Sequence, residues 1–182
     1  MGKILILEKR TIEKVDEHNF AFIDAQNLYK SLIKSGWKLD YFKFRKYLQK
    51  KFGVVKAIVF IGKQNRYKGQ YAMYHKAGFE LVYKDAVPYK DKDGKITMKA
   101  NVDVDLTVGV LGTYIDQYDK AVIISGDGDF LPLYFYLKNI GKLKRIIVPS
   151  KKSYSTELNN QALKDLVTFM NLPLEKAEIL SS

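Results

Sequence analysis

The sequence predicts an α/β protein: a three-layer α/β/α sandwich around a mostly parallel central sheet of about five strands, Rossmann-like in its alternation. Three observations carry this reading. Short apolar runs alternate with longer segments of helical periodicity. Most of those runs are unbroken Val, Ile and Phe, the pattern of strands covered on both faces. Glycines and aspartates fall at the junctions, where helices stop and start.

Residues 1–18 carry mixed charge and weak patterning and read as an arm or short strand, with the domain at 19–182. Phe20-Ala21-Phe22-Ile23 is a buried strand ending at Asp24. Residues 28–34 read as a helix stopped by Gly36; Asp40 caps a second helix through residue 51, followed by Gly53. Residues 54–61 form a second buried strand, 65–77 a helix stopped by Gly78, and 79–83 a third strand. Asp93-Gly94, between Tyr89 and Met98, predicts a tight hairpin or an exposed loop. A helix starts at Asn101 or Asp103 and runs to about Tyr118, with Val104, Val108, Leu111 and Ile115 as its core stripe. Residues 121–124 are the fourth strand, 131–139 a helix followed by Gly141, and 145–148 a fifth strand stopped by Pro149. Ser155 or Thr156 caps a last helix over 158–167. The run Leu133-Tyr134-Phe135-Tyr136-Leu137 reads as core, with a homodimer face as the alternative.

Composition narrows the function. Hydrophobic residues make up 47% of the 182, enough for a core and too many for a disordered chain. The lack of cysteine removes disulfides, thiolate-zinc sites and thiol nucleophiles. No apolar run reaches the roughly 20 residues of a membrane helix, and no secretory pattern opens the chain. A cytoplasmic protein with no membrane partner is the expectation. Lys and Arg total 31 against 20 Asp and Glu, a net charge of +11, which favours a polyanionic partner, nucleic acid first.

Ligands of open α/β sheets bind beyond the carboxyl ends of the strands. Asp24 and Asn27 follow the first strand, and Ser125, Asp127 and Asp129 follow the fourth, in Ser-Gly-Asp-Gly-Asp-Phe. Asp103 and Asp105 open the intervening helix on opposite flanks of its stripe, and periodicity does not choose between them. Each acid alone is ordinary turn or capping chemistry. Gathered at one edge, they would repel one another strongly, and an oxygen-loving Mg²⁺ or Mn²⁺ would relieve the repulsion.

Three motifs carry a family resemblance: Phe22-Ile23-Asp24-Ala25-Gln26-Asn27-Leu28, Lys99-Ala100-Asn101-Val102-Asp103-Val104, and Ile124-Ser125-Gly126-Asp127-Gly128-Asp129-Phe130-Leu131-Pro132-Leu133. In order and separation they resemble the NYN domain, part of the PIN-like ribonuclease group that includes LabA-type bacterial proteins. The resemblance runs from about Phe20 to Leu172. It implies a PIN-like fold and Mg²⁺- or Mn²⁺-dependent cleavage of RNA phosphodiesters, with Asp24, Asp103, Asp127 and Asp129 as metal ligands. It also implies Asn27 as their support and Ser125 as a hydroxyl beside them, and it selects Asp103 over Asp105. Two positions depart from the family pattern. Gly109 stands where many relatives carry a further Asp, and Ala100 where a Gly is common.

Substrate contacts are expected between Lys63 and Lys99, where nine basic residues interleave with Tyr67, Tyr71, Tyr74, Tyr83 and Tyr89. Cations grip phosphates and rings stack on unpaired bases. Lys63, Arg66, Lys68 and Lys99 are the chosen RNA-binding residues because they follow strand ends or precede the acidic helix, and the substrate is single-stranded or structured RNA. His18 and His75 are not placed for general-base work. The rival reading is a non-catalytic RNA-binding module of the same fold. A haloacid-dehalogenase-like phosphatase needs an Asp where Gln26 stands. A phosphoacceptor receiver domain lacks its acidic pair, and neither a Walker loop nor a G-x-G-x-x-G fingerprint occurs.

Overall fold

The computed structural model describes residues 17–90 and 96–170, together with Lys92 and Gly94. In chain order the elements are β1 (Asn19–Asp24), α1 (Ala25–Ser35), α2 (Tyr41–Phe52), β2 (Val54–Lys63), α3 (Lys68–Lys76), β3 (Glu80–Asp85), β4 (Val87–Lys90), β5 (Ile96–Lys99), α4 (Asp103–Val108), β6 (Ala121–Ile124), α5 (Leu131–Asn139), β7 (Leu143–Val148) and β8 (Val167–Phe169). Six strands form one parallel sheet in the order β3-β2-β1-β6-β7-β8. β4 and β5 pair separately as an antiparallel hairpin, with Gly94 (φ 79°) in the connection between them; Asp93 lies outside the described residues.

β1 is buried along its whole length because both faces of the sheet are covered. Ala21 and Ile23 face α1, α2 and α3 through Leu28, Phe44, Leu48 and Tyr74. Phe20 and Phe22 face the other layer, built from Leu106, Val110, Leu133, Tyr134 and Leu137. This is the three-layer sandwich, with one strand more than the five expected. Asp24 and Asp40 cap α1 and α2, and Gly36 and Gly53 end them at positive φ. Among the described residues, no helix is long and apolar enough to cross a membrane.

Three expectations need correction. The helix over 158–167 is absent: two short 3-10 turns, Thr156–Asn159 and Lys164–Leu166, lead into β8. Leu158 and Leu163 are spaced too far apart for one helical stripe, and the Asn160 side chain accepts the Ala162 N–H at 2.9 Å, a local turn that competes with helix. Val167 then pairs with Ile146 as a sixth strand. The helix expected to reach Tyr118 stops much earlier, passing at Gly109 into a wide π-turn through Thr113, where Gly109 and Gly112 weaken helical propagation. Its stripe is also displaced. Val102, Leu106 and Val110 face the core, whereas Val104 and Val108 are exposed; Leu111 and Ile115 are partly buried.

At the amino-terminal edge of the sheet, Glu17 accepts from Lys120 Nζ at 2.8 Å, from Lys144 Nζ, and from the Asn19 amide at 3.0 Å. Asn19, fully buried, also donates to the Phe52 carbonyl and accepts from the Lys120 N–H. One polar knot therefore ties β1, β6 and β7 at the end opposite the acidic residues. Residues 1–16 of the expected arm lie outside the described residues.

Candidate functional site

From β1 the sheet grows through β2 to β3 on one side, and the chain then crosses to β6, β7 and β8 on the other. The order therefore reverses between β1 and β6, and the crevice at the carboxyl ends of those two strands is the usual ligand position in such sheets. Ile23 pairs with Ile124, so Asp24 and Ser125 leave the sheet side by side.

Asp24 is only 4% exposed, although it is an acid at a strand end. Its Oδ1 accepts the N–H groups of Gln26 and Asn27, each at 3.0 Å, and so caps α1. Ser125 Oγ donates to Oδ2 at 3.4 Å. Burial pushes the Asp24 carboxyl up to about 6, the Asn27 and Gln26 N–H bonds pull against that shift, and the charges of Asp103 and Asp127 add to it. Three acids from β1, α4 and the loop after β6 thus share one electrostatic neighbourhood.

The loop after β6 is held by its own side chains. Asp127 N–H donates to Ser125 Oγ at 3.2 Å, and Asp127 Oδ1 accepts the Asp129 N–H at 3.1 Å, capping the 3-10 turn Gly128–Phe130. Asn27 Oδ1 accepts the Gly126 N–H at 2.9 Å, which pins this loop to α1. The two glycines give the neighbouring 154–157 segment room to pack. A Cβ at Gly126 would lie 3.2 Å from Tyr154 Cβ, and one at Gly128 would strike Ser155 Oγ and the Glu157 carboxylate. Ser155 N–H bonds the Gly126 carbonyl at 2.8 Å.

At the head of α4, the two aspartates separate. Asp105 is ion-paired to Lys84 of β3, whereas the charge of Asp103 is felt at Asp24. Helical periodicity alone does not separate these two surroundings. Gly109 lies in the π-turn with Phe60 against it, and a Cβ there would come within 2.7 Å of Phe60 Cζ. Phe60 fills the space a further aspartate would use. The Ala100 methyl sits against Gly62, where a second Cβ would be 2.7 Å away, so Gly62 accommodates the Ala100 departure.

Two residues near the site escape sequence reasoning. Tyr134 is fully buried, its hydroxyl has no hydrogen-bond partner, and Asp24 and Asp127 add to the burial that raises its pKa. Only the three-dimensional fold distinguishes it from the core residues of its run. Glu157, just before the expected last helix, reaches Gly128, and nothing in its sequence context signals this. Of the basic residues, Lys63 and Lys68 are exposed at the end of β2 and the start of α3. The side chains of Arg66 and Lys99 lie outside the described residues. Tyr71 and Tyr74 are buried, Tyr71 bonding the Gly62 carbonyl at 2.9 Å, so they do not stack on bases; Tyr83 and Tyr89 are exposed.

A divalent ion has a chemically suitable setting here: oxygen donors only, a buried carboxylate whose ionisation is resisted by like charges, and an orphaned hydroxyl beside them. Among the described residues, however, no three His, Asp or Glu side chains stand close enough to grip one ion directly. The donor chemistry suits an oxygen-loving divalent ion such as Mg²⁺. A tight four-aspartate cage is not formed.

The parallel sheet, with the charges of Asp103 and Asp127 felt at Asp24 beside the switch point, defines a class of α/β domain, and the NYN domain family matches the chain over residues 20–167. The chain belongs to the NYN domain family. Membership supports a nuclease-type or RNA-related function. Among its relatives is the low amplitude and bright protein LabA of Synechococcus elongatus, 26% identical over 115 residues; the match spans 60% of this chain and 61% of that protein's length. A crystal structure of a Vibrio parahaemolyticus protein of unknown function shares the fold. It has a TM-score of 0.70 at 19% identity, covering 93% of this chain and all of that one.

Proposed function

We propose that this chain is a metal-dependent ribonuclease that hydrolyses RNA phosphodiester bonds at the carboxyl edge of its sheet. The observation that carries the reading is the buried Asp24 at the switch point, with Asp103 and Asp127 close enough to hinder its ionisation. Asp24 would hold Mg²⁺ or Mn²⁺ with Asp103 and Asp127 directly or through water, and Asp129, whose backbone N–H is bonded to Asp127, would complete the acidic set. A bound divalent ion lowers the pKa of water and offsets charge on the phosphate oxygens. Asn27 and Ser125 fix the orientation of the loop and of Asp24. Lys63 and Lys68, with Arg66 and Lys99, would hold the RNA backbone. Neither described histidine is placed for general-base work: His75 lies 3.5 Å from the Tyr83 hydroxyl, and His18 precedes β1 at its amino-terminal end.

A second reading, an RNA-binding module without catalysis, is favoured by one observation: Phe60 occupies the space beside Gly109, leaving the site one carboxylate short of the family pattern. One assay decides between them. Purified protein is incubated with labelled RNA and Mg²⁺ or Mn²⁺. The nuclease reading predicts cleavage that EDTA stops and that Asp24→Asn abolishes while RNA binding persists. Binding without cleavage by the wild type selects the second reading, and cleavage by Asp24→Asn at the wild-type rate overturns the site.

A further inference from the structure

We infer that the cleft beside the acidic crevice is a subsite for one unpaired RNA base. This rests on the RNA reading above and extends it to a particular substrate feature. The cleft, of about 260 Å³, opens between α1, the end of β2 and the segment leading into α4. Tyr29 and Tyr67 line it, packed edge to face on one another with ring centroids 6.4 Å apart and planes at 63°. Gln26, Gln64 and Gln70 add amide groups to its lining, and Phe60, Gly62 and Val102 are among the residues that complete it. Among the described residues, no carboxylate lines it.

Each feature selects the same ligand. The volume lies below the roughly 300–1,000 Å³ of pockets that enclose drug-sized molecules, so it suits a single flat ring system. Aromatic faces stack on any base, and amides can donate to and accept from a base edge. Tyr29 is 43% exposed, so its ring is available to an incoming base. A base inside a duplex is already stacked and paired, so the cleft selects single-stranded RNA.

The position ties the cleft to the crevice. Ala25 and Gln26 line it and directly follow Asp24, whose Oδ1 accepts the Gln26 N–H; Val102 lines it and directly precedes Asp103. A nucleotide seated there directs its phosphate towards the aspartates. Lys30 lies on the rim, and Lys63 and Lys68 flank Gln64 and Tyr67 in sequence.

The test is direct binding in EDTA, where no cleavage interferes, using three probes of matched charge: a decameric single-stranded RNA, the same sugar-phosphate chain without bases, and an RNA duplex. Tyr29→Ala is predicted to weaken single-strand binding about tenfold, with Tyr29→Phe near wild type. Binding to the abasic chain and the duplex is predicted to stay unchanged in both variants. Tyr67→Ala should reproduce the loss; because Tyr67 also packs on the core, the Tyr29 pair and the abasic probe decide the matter if it fails to fold. The inference is overturned if Tyr29→Ala leaves single-strand affinity unchanged, weakens all three probes equally, or if the wild type binds none of them. A protein that shows the base-dependent loss yet never cuts RNA refutes the nuclease reading and leaves this subsite standing.

Discussion

Asn27 and Gly126, 99 residues apart in sequence, share a hydrogen bond of 2.9 Å from the glycine N–H to the asparagine side chain. That bond joins the first turn of α1, which Asp24 caps, to the loop that carries Asp127 and Asp129. It sets the spacing of the two acidic elements. Asn27→Ala leaves the Gly126 N–H without its partner, costing about 1–3 kcal/mol of stability. Its predicted kinetic signature is kcat reduced at least about tenfold with KM within twofold, the pattern of lost positioning. Steady-state cleavage kinetics check it; an unchanged kcat means the bond does not align the site.

Asp24 predicts a trade of stability for function. Its folded-state pKa, about 6, lies above the ordinary 3.8, so folding disfavours the ionised form. Stability contributed by the protonated acid is complete below pH 3.8 and is lost as pH rises through 6. Asp24→Asn keeps a competent helix cap and removes the charge. At pH 8 it should be more stable than wild type by about 2–3 kcal/mol, a difference that vanishes near pH 3.5. Urea unfolding at the two pH values measures this. Added Mn²⁺ should raise the wild-type midpoint and leave Asp24→Asn unmoved.

Gly109 and Phe60 predict a compensating pair. Gly109→Ala places a methyl against the Phe60 ring and should cost about 1–3 kcal/mol by overpacking. Phe60→Leu in the same protein should recover part of that loss. A double-mutant thermal series reads the coupling, and strict additivity would show that the ring is not the obstacle.

Glu17 predicts an acid limb. The Asn19 amide, then Lys120 and Lys144, lower its pKa from 4.5 to about 2. The stability it contributes is present above 4.5 and lost as pH falls towards 2. Because the pair is partly solvent-exposed, Glu17→Gln should cost only about 1 kcal/mol at neutral pH and flatten the acid limb between pH 4.5 and 2. Denaturation midpoints across that window give the answer.

Lys63 and Lys68 predict a salt signature. For single-stranded RNA the logarithm of affinity falls with log salt by about 0.7 per phosphate neutralised. Replacing both by Ala should reduce that slope by about 1.4, and an unchanged slope removes them from the backbone path.

The features legible in the sequence were those set by local chemistry. An unbroken apolar run ending in Asp24 marks both a strand and an acid at its carboxyl end, and the caps at Asp24 and Asp40 follow from neighbouring residues alone. Features that depend on distant partners were not legible. Val104 and Val108 have helical spacing, yet the core receives Val102, Leu106 and Val110, because the rotation of α4 is set by the sheet it packs on. Residues 158–167 contain helix-compatible residues, but Val167-Thr168-Phe169 finds an open edge on β7. The orphaned Tyr134 hydroxyl and the approach of Glu157 to Gly128 exist only once residues far apart in the chain are brought together.

The central claim is that Asp24 holds a divalent ion, with Asp103 or Asp127 reaching it directly or through water. Anomalous diffraction from crystals soaked in Mn²⁺ tests it most directly. The account predicts a peak beside the Asp24 carboxylate, within reach of Asp103 or Asp127 directly or through water, and no such peak in Asp24→Asn crystals. Manganese bound only elsewhere, or an empty crevice in crystals whose dissolved protein still cuts RNA, would contradict it.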